Sequence, residues 1–201
     1  MTSTATADRS EFRHVLQSGT IVGATTAVAV VLFLAVSRNL SPGMVTSIVL
    51  MVIVLAGGVA AAFLPGFFAA SRTVQGVASA AGIGLWGTIT FMAIDIILLR
   101  PFRAFPWTWD AIGGGSTWWY LPIWWMLGTF VAWMGGIVTA GRAARGGDTS
   151  IRSLAIPAVG GGLGVGLGLG LGGLMFMPVA AGAGFVATLV LFALIVLARR
   201  G

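Results

Sequence analysis

Charge is what this sequence has least of: 8% of its 201 residues are Asp, Glu, Lys or Arg, against roughly 25% in an average soluble domain. Lysine is absent, so every positive charge is an arginine. That excludes a lysine-borne Schiff base and leaves Gly113–Gly115 without the lysine of a phosphate-binding loop. Cysteine is absent too, which removes disulfides, thiolate metal sites and cysteine nucleophiles. The single histidine, His14, allows no bis-histidine haem and no membrane base for Ser116 in "GGGST" (113–117). A lone histidine at the edge of an apolar span is ordinarily structural. Of five carboxylates only Asp95 falls inside an apolar span, so the paired membrane aspartates of intramembrane proteolysis are missing. With no catalytic constellation in view, an enzyme is not expected.

What fills the space is apolar. The chain is 58% hydrophobic with a mean hydropathy of +1.02, and six apolar runs stand out, at about 15–36, 44–70, 77–99, 118–140, 153–176 and 178–198. Most approach the ~20 residues that cross a hydrocarbon core about 30 Å thick. The expected fold is all-α, a polytopic bundle of about six transmembrane helices with a Trp-rich interfacial loop on the outer side. Residues 15–201 form its single transmembrane domain, with a short N-terminal segment, 1–14, before it. The last two runs are nearly fused, and a re-entrant pair is the alternative to two crossings.

Six crossings put both termini on one side. That side would carry Arg9, Arg13, Arg72, Arg142, Arg145, Arg152, Arg199 and Arg200, the other Arg38, Arg100 and Arg103. The positive-inside bias then predicts cytoplasmic termini. The arginine-only, Ala- and Gly-rich composition reads as a GC-rich bacterial genome, so the expected location is a bacterial inner membrane. An isoelectric point near 11.8 is set by these few loop arginines and does not indicate nucleic acid. The first apolar run is too long for a signal-peptide core and reads as an uncleaved anchor. Ahead of it, Asp8 and Glu11 have capping-box spacing. Phe12, Val15 and Leu16 can face lipid there while Arg9 and Arg13 face headgroups, an amphipathic anchor.

Two stretches are distinctive. In "GGGLGVGLGLGLGG" (160–173) every even position is glycine. Glycine costs ~1 kcal/mol against alanine in an aqueous helix, but in hydrocarbon an unpaired backbone amide costs more, so the helix forms. Gly160, Gly164, Gly168 and Gly172 then line one face. Gly162, Gly166 and Gly170 lie about 200° away, because two residues at ~100° each nearly reverse direction. Such a helix can be approached closely on both sides, which suits an interior helix or an interface with a partner or a second copy. The spacing resembles the inner helix of rotary ATPase ring subunits. Those rings need a carboxylate on the following helix, and residues 178–198 contain none, so their ion-carrying function does not transfer.

The other stretch is "RPFRAFPWTWDAIGGGSTWWYLPIWWM" (100–126), with six of the eight tryptophans. Trp107, Trp109, Trp118, Trp119 and Tyr120 read as an aromatic belt at the outer boundary, with Trp124 and Trp125 slightly deeper. The alternative is a stacking platform for a quinone, sugar or cofactor. Asp95, Arg100, Arg103 and Asp110 form the one candidate polar site. An intramembrane Asp is a functional hypothesis by default, while pairing with Arg100 or Arg103 would make it structural. A weak internal echo links Gly57-Gly58 and Pro65 to Gly172-Gly173 and Pro178, the shape of a three-plus-three inverted repeat.

Taken together, these features predict first a non-catalytic membrane subunit or scaffold that packs against other membrane chains, or itself, through the glycine ladder. The alternative is a small transporter or capture module for a small or lipophilic molecule, with its polar site near Asp95. No obligatory cofactor is expected; a bound lipid, quinone or pigment is compatible with either reading.

Overall fold

The computed structural model of the chain describes residues 3–99 and 120–199. Among these residues the only regular structure is helical: α1 (Ser3–Asn39), α2 (Met44–Phe68), α3 (Val74–Ile94) with a π-helical turn at Asp95–Leu99, α4 (Tyr120–Ala143), α5 (Ile151–Leu171) and α6 (Met177–Ala198). All six are long and apolar enough to cross a membrane. The protein is a multi-pass α-helical membrane protein, and its lipid-facing surface is built from side chains such as Val28, Leu32, Val52, Leu191 and Leu194, all exposed. Because six helices alternate in direction, α1 begins and α6 ends at the same end, here called proximal. The connections 40–43 and 172–176 lie at the distal end.

Several boundaries differ from the sequence reading. α1 starts upstream of Asp8 and runs unbroken into the first span, so Asp8 is not its N-cap. Both α5 and α6 are full-length helices, which removes the re-entrant alternative. Pro178 sits in the first turn of α6, where its missing N–H is no loss. Pro65 lies inside α2 near its end. Gly57-Gly58 are mid-helix whereas Gly172 is a helix C-cap, so the two motifs occupy unlike places and the inverted-repeat echo is not a structural correspondence.

Helix ends are closed by backbone geometry. At the end of α5, Gly173 (φ +69°) donates its N–H to Gly170 O at 3.1 Å and Leu174 donates to Leu169 O at 3.0 Å, a Schellman closure. The end of α4 repeats it with Gly146 (φ +66°). The end of α2 does the same with an alanine, Ala70 (φ +46°), whose neighbour Ser71 donates its N–H to Gly66 O at 3.0 Å.

α2 is the central helix and touches every other one. Around it α1 packs on α3, α3 on α4, α4 on α6, and α6 on α5, which closes back on α2. Small residues bring these helices together. Gly23 meets Gly87 across α1–α3, Gly84 meets Ala132 across α3–α4, Gly135 meets the Ala62 carbonyl across α2–α4, and Gly141 meets Val196 across α4–α6. The last two contacts lie in the proximal half, where Phe63, Met134, Leu154 and Leu189 fill the main core. Four hydroxyls inside the bundle are bonded to their own helices: Thr26, Thr88, Thr139 and Thr188 each donate to the carbonyl four residues back, at 2.8–2.9 Å, whereas the buried hydroxyl of Thr129 has no partner among the described residues. With no water to receive them, bonding to the helix's own carbonyls is how such groups are satisfied in hydrocarbon.

Candidate functional site: an apolar basket and a half-open glycine helix

The bundle that is tight at its proximal end encloses a cavity of about 680 Å³ in its middle and distal part, partly open to the outside. Five helices line it: α1 from Val22 to Phe33, α2 from Ile53 to Ala61, α3 from Gly84 to Phe91, α4 from Trp124 to Val131 and α6 from Val179 to Val186, with Phe176 at the distal edge. The physical cause is a gradient of side-chain size. Proximally, Gly135 and Gly141 let α4 lie directly on α2 and α6. Distally, Phe33, Phe91, Trp124 and Phe176 hold the helices apart. Gly57, Gly58, Gly128 and Gly182 also border the space, Gly128 making room for the Thr88 side chain and Gly58 for the Phe185 ring.

The wall chemistry is uniform. Trp124 stands edge-on to Phe91, with ring centroids 6.4 Å apart at 63°. Among the described residues, the polar side-chain groups on the lining are the indole N–H of Trp124 and the hydroxyls of Thr26 and Thr88, which donate their protons to their own backbone, Val22 O and Gly84 O, both at 2.9 Å. A buried water needs two to four polar partners. The described lining therefore offers a water few partners and presents mostly hydrocarbon.

The glycine ladder divides into two unlike faces. A β-carbon at Gly166 would stand 2.7 Å from Cβ of Ala181 and 3.0 Å from Sδ of Met51; at Gly162 it would strike Leu55 and Ala181, and at Gly170 it would come 2.9 Å from Met177. α6 answers in kind: Gly184 receives Val165 while Thr188 fills the space beside Gly161. On the opposite face, Gly160, Gly164 and Gly168 have nothing within 4 Å and are exposed. Gly172 has left the ladder to become the α5 C-cap. Within this chain, then, close approach is made on one face and the other is open.

The other predicted sites resolve as follows. Asp95 is 1% exposed and opens the π-helical turn at the end of α3, one helical turn beyond the cavity residue Phe91. Arg100, Arg103 and Asp110, and the belt residues Trp107, Trp109, Trp118 and Trp119, lie outside the described residues. Tyr120 begins α4. Trp125 is exposed on the outer surface of α4, as a belt residue would be, but Trp124 turns inward to line the basket, a correction to the belt reading. His14 is exposed near the proximal end. Among the described residues no group of His, Cys, Asp or Glu is arranged to hold a metal.

At the proximal end the α4–α5 connection is ordered by Asp148. Ser150 donates its hydroxyl to Asp148 Oδ2 at 2.6 Å and its N–H to Oδ1 at 2.8 Å. These bonds hold the carboxyl below its ordinary range, with a smaller contribution from the Arg142 charge. Arg142 donates across the connection to Ser153 O at 3.2 Å, which ties α4 to the first turn of α5.

No family profile, curated protein or solved structure matches this chain, so its function is argued from these features alone. Sequence reasoning missed the basket. Its lining comes from five helices, and no local pattern in any of them marks it; the mid-span glycines Gly57-Gly58 were the one trace, and they were read as a repeat.

Proposed function

We propose that this protein is a non-catalytic membrane protein that binds a lipophilic molecule in the five-helix basket. The observation that carries this reading is a partly open, predominantly apolar cavity of about 680 Å³, within the 300–1,000 Å³ typical of ligand sites. It relocates the capture function from Asp95 to the interior between α1, α2, α3, α4 and α6. The test is to purify the full chain in mild detergent, extract it with organic solvent and identify what co-purifies. About one lipophilic molecule per chain is expected, together with its loss from an Ala29→Phe variant that fills the basket and keeps a normal thermal transition. An extract with no bound species, identical in both proteins, would refute the reading.

A second reading concerns α5. The open face at Gly160, Gly164 and Gly168 has the i, i+4 small-residue spacing that lets a second helix approach closely. It supports association with another membrane chain or a second copy, the scaffold role. We further propose a bacterial inner-membrane location with both termini cytoplasmic, in line with the arginine distribution. The basket would then face outward. An impermeant thiol reagent should leave Ser150→Cys unlabelled in intact cells and label it once they are opened; labelling of intact cells would reverse the orientation.

A further inference from the structure

We infer that the occupant of the basket is one acyl chain of a phospholipid from the distal leaflet, with its headgroup left at the distal surface. This inference rests on the lipophilic-site reading above and narrows it to one class. Three observations converge. The first is depth. From Phe176, the N-cap of α6, the lining runs to Val186, and on α1 it runs from Val22 to Phe33, which at ~1.5 Å per residue is roughly 15 Å. That is half of a ~30 Å hydrocarbon core, the length of a single leaflet's chains. The second is placement: the basket occupies the middle and distal part of the bundle and its floor is closed proximally, where Gly135 lies on the Ala62 carbonyl and Gly66 comes close to Gly136 and Thr139. Among the described residues the proximal end is thus closed to a chain passing through.

The third observation is the direction of the hydrogen bonds. A quinone or a carbonyl-bearing pigment brings acceptor oxygens, and these need donors. The two lining hydroxyls already give their protons to Val22 O and Gly84 O, so a quinone carbonyl beside Thr26 or Thr88 would meet oxygen; besides them the described lining carries only one polar side-chain group, the indole N–H of Trp124. A saturated or mono-unsaturated chain asks nothing of the wall. It gains the dispersion contacts that an empty space of this size forgoes, and the surrounding bilayer supplies it at very high local concentration.

The experiment uses the full chain, stripped of lipid in detergent and reconstituted into vesicles of palmitoyl-oleoyl phosphatidylethanolamine and phosphatidylglycerol. Native mass spectrometry then counts the lipids retained on release into mild detergent. The native protein should retain one phospholipid. Thr26→Val and Thr88→Val should retain it equally, because their hydroxyls take no part. Ala29→Phe should lower retention about tenfold or more, and Val54→Phe on the α2 wall serves as the second filling variant should the first fail to fold. A short-tailed quinone should not compete. If it displaces the phospholipid and Thr26→Val abolishes that displacement, the site reads a polar head and this inference falls while the lipophilic site stands. If neither class is retained and the filling variants match the native protein, the lipophilic-site reading itself falls. Retention seen only after deletion of residues 100–119 would mean that the chain fills its own basket, which also overturns the inference.

Discussion

The two faces of α5 carry the same residue at the same spacing and do opposite things. Gly162, Gly166 and Gly170 are closed by α2 and α6 to the point that a single added carbon collides; Gly160, Gly164 and Gly168 meet nothing. The difference teaches that a glycine stripe reports only permission for close approach. Whether anything approaches depends on which side the rest of the bundle occupies, and here α6 returns along one side of α5 only.

The largest effect that would break this comparison is expected at Gly166. Leucine there must displace Ala181 and Met51, and overpacking of this kind costs about 3 kcal/mol or more where backbone is involved. Gly166→Leu should therefore abolish recovery of monodisperse protein in size-exclusion chromatography. Gly164→Leu, two residues away, should leave yield and thermal stability unchanged or slightly raised, since leucine is the better helix former by up to ~1 kcal/mol. If the open face receives a partner, the same variant should shift the protein from a larger assembly to a monomer. Equal tolerance at both sites would dissolve the distinction between the faces.

A middle-sized effect separates glycine's two virtues, the missing side chain and the freedom of its backbone. Gly173 and Ala70 hold the same closing position in two helices, both with positive φ. Gly173→Ala should cost about 0.5–1 kcal/mol and Ala70→Gly should return a similar amount, because a β-carbon is strained in that region. Opposite shifts in the thermal transition are the expected result. Shifts of the same sign would show that side-chain contact, not backbone strain, governs these closures.

The smallest effect is at the proximal start of α5, where Asp148 orders the chain without touching either face. Its folded pKa is lowered by the Ser150 hydrogen bonds. The stability it contributes is therefore fully present above the unfolded value of about 3.9 and is lost as pH falls through the lower folded value. Thermal stability measured from neutral pH downward should show this loss only below about pH 4, and Asp148→Asn should remove that component. A loss centred near neutral pH and abolished by Asp148→Asn would contradict the assignment.

Much of the architecture was legible before any coordinates. Hydrocarbon forces backbone groups to pair within each segment, so long apolar runs such as 44–70 and 178–198 had to become helices, even with Pro65 and Pro178 inside them. The ladder's two-faced geometry followed from the ~100° helical step. Tertiary structure decided what periodicity cannot encode. Which face of α5 is locked depends on α6 folding back along it. That Trp124 turns inward while Trp125 faces out depends on Phe91 arriving from α3. The basket exists only where five helices meet, with α4 brought onto α2 and α6 proximally at Gly135 and Gly141 and with Phe33, Phe91 and Phe176 along its distal wall. Local spacing determines helices and their faces; the space between helices is set by residues far apart in the chain, whose sizes add up only once they meet.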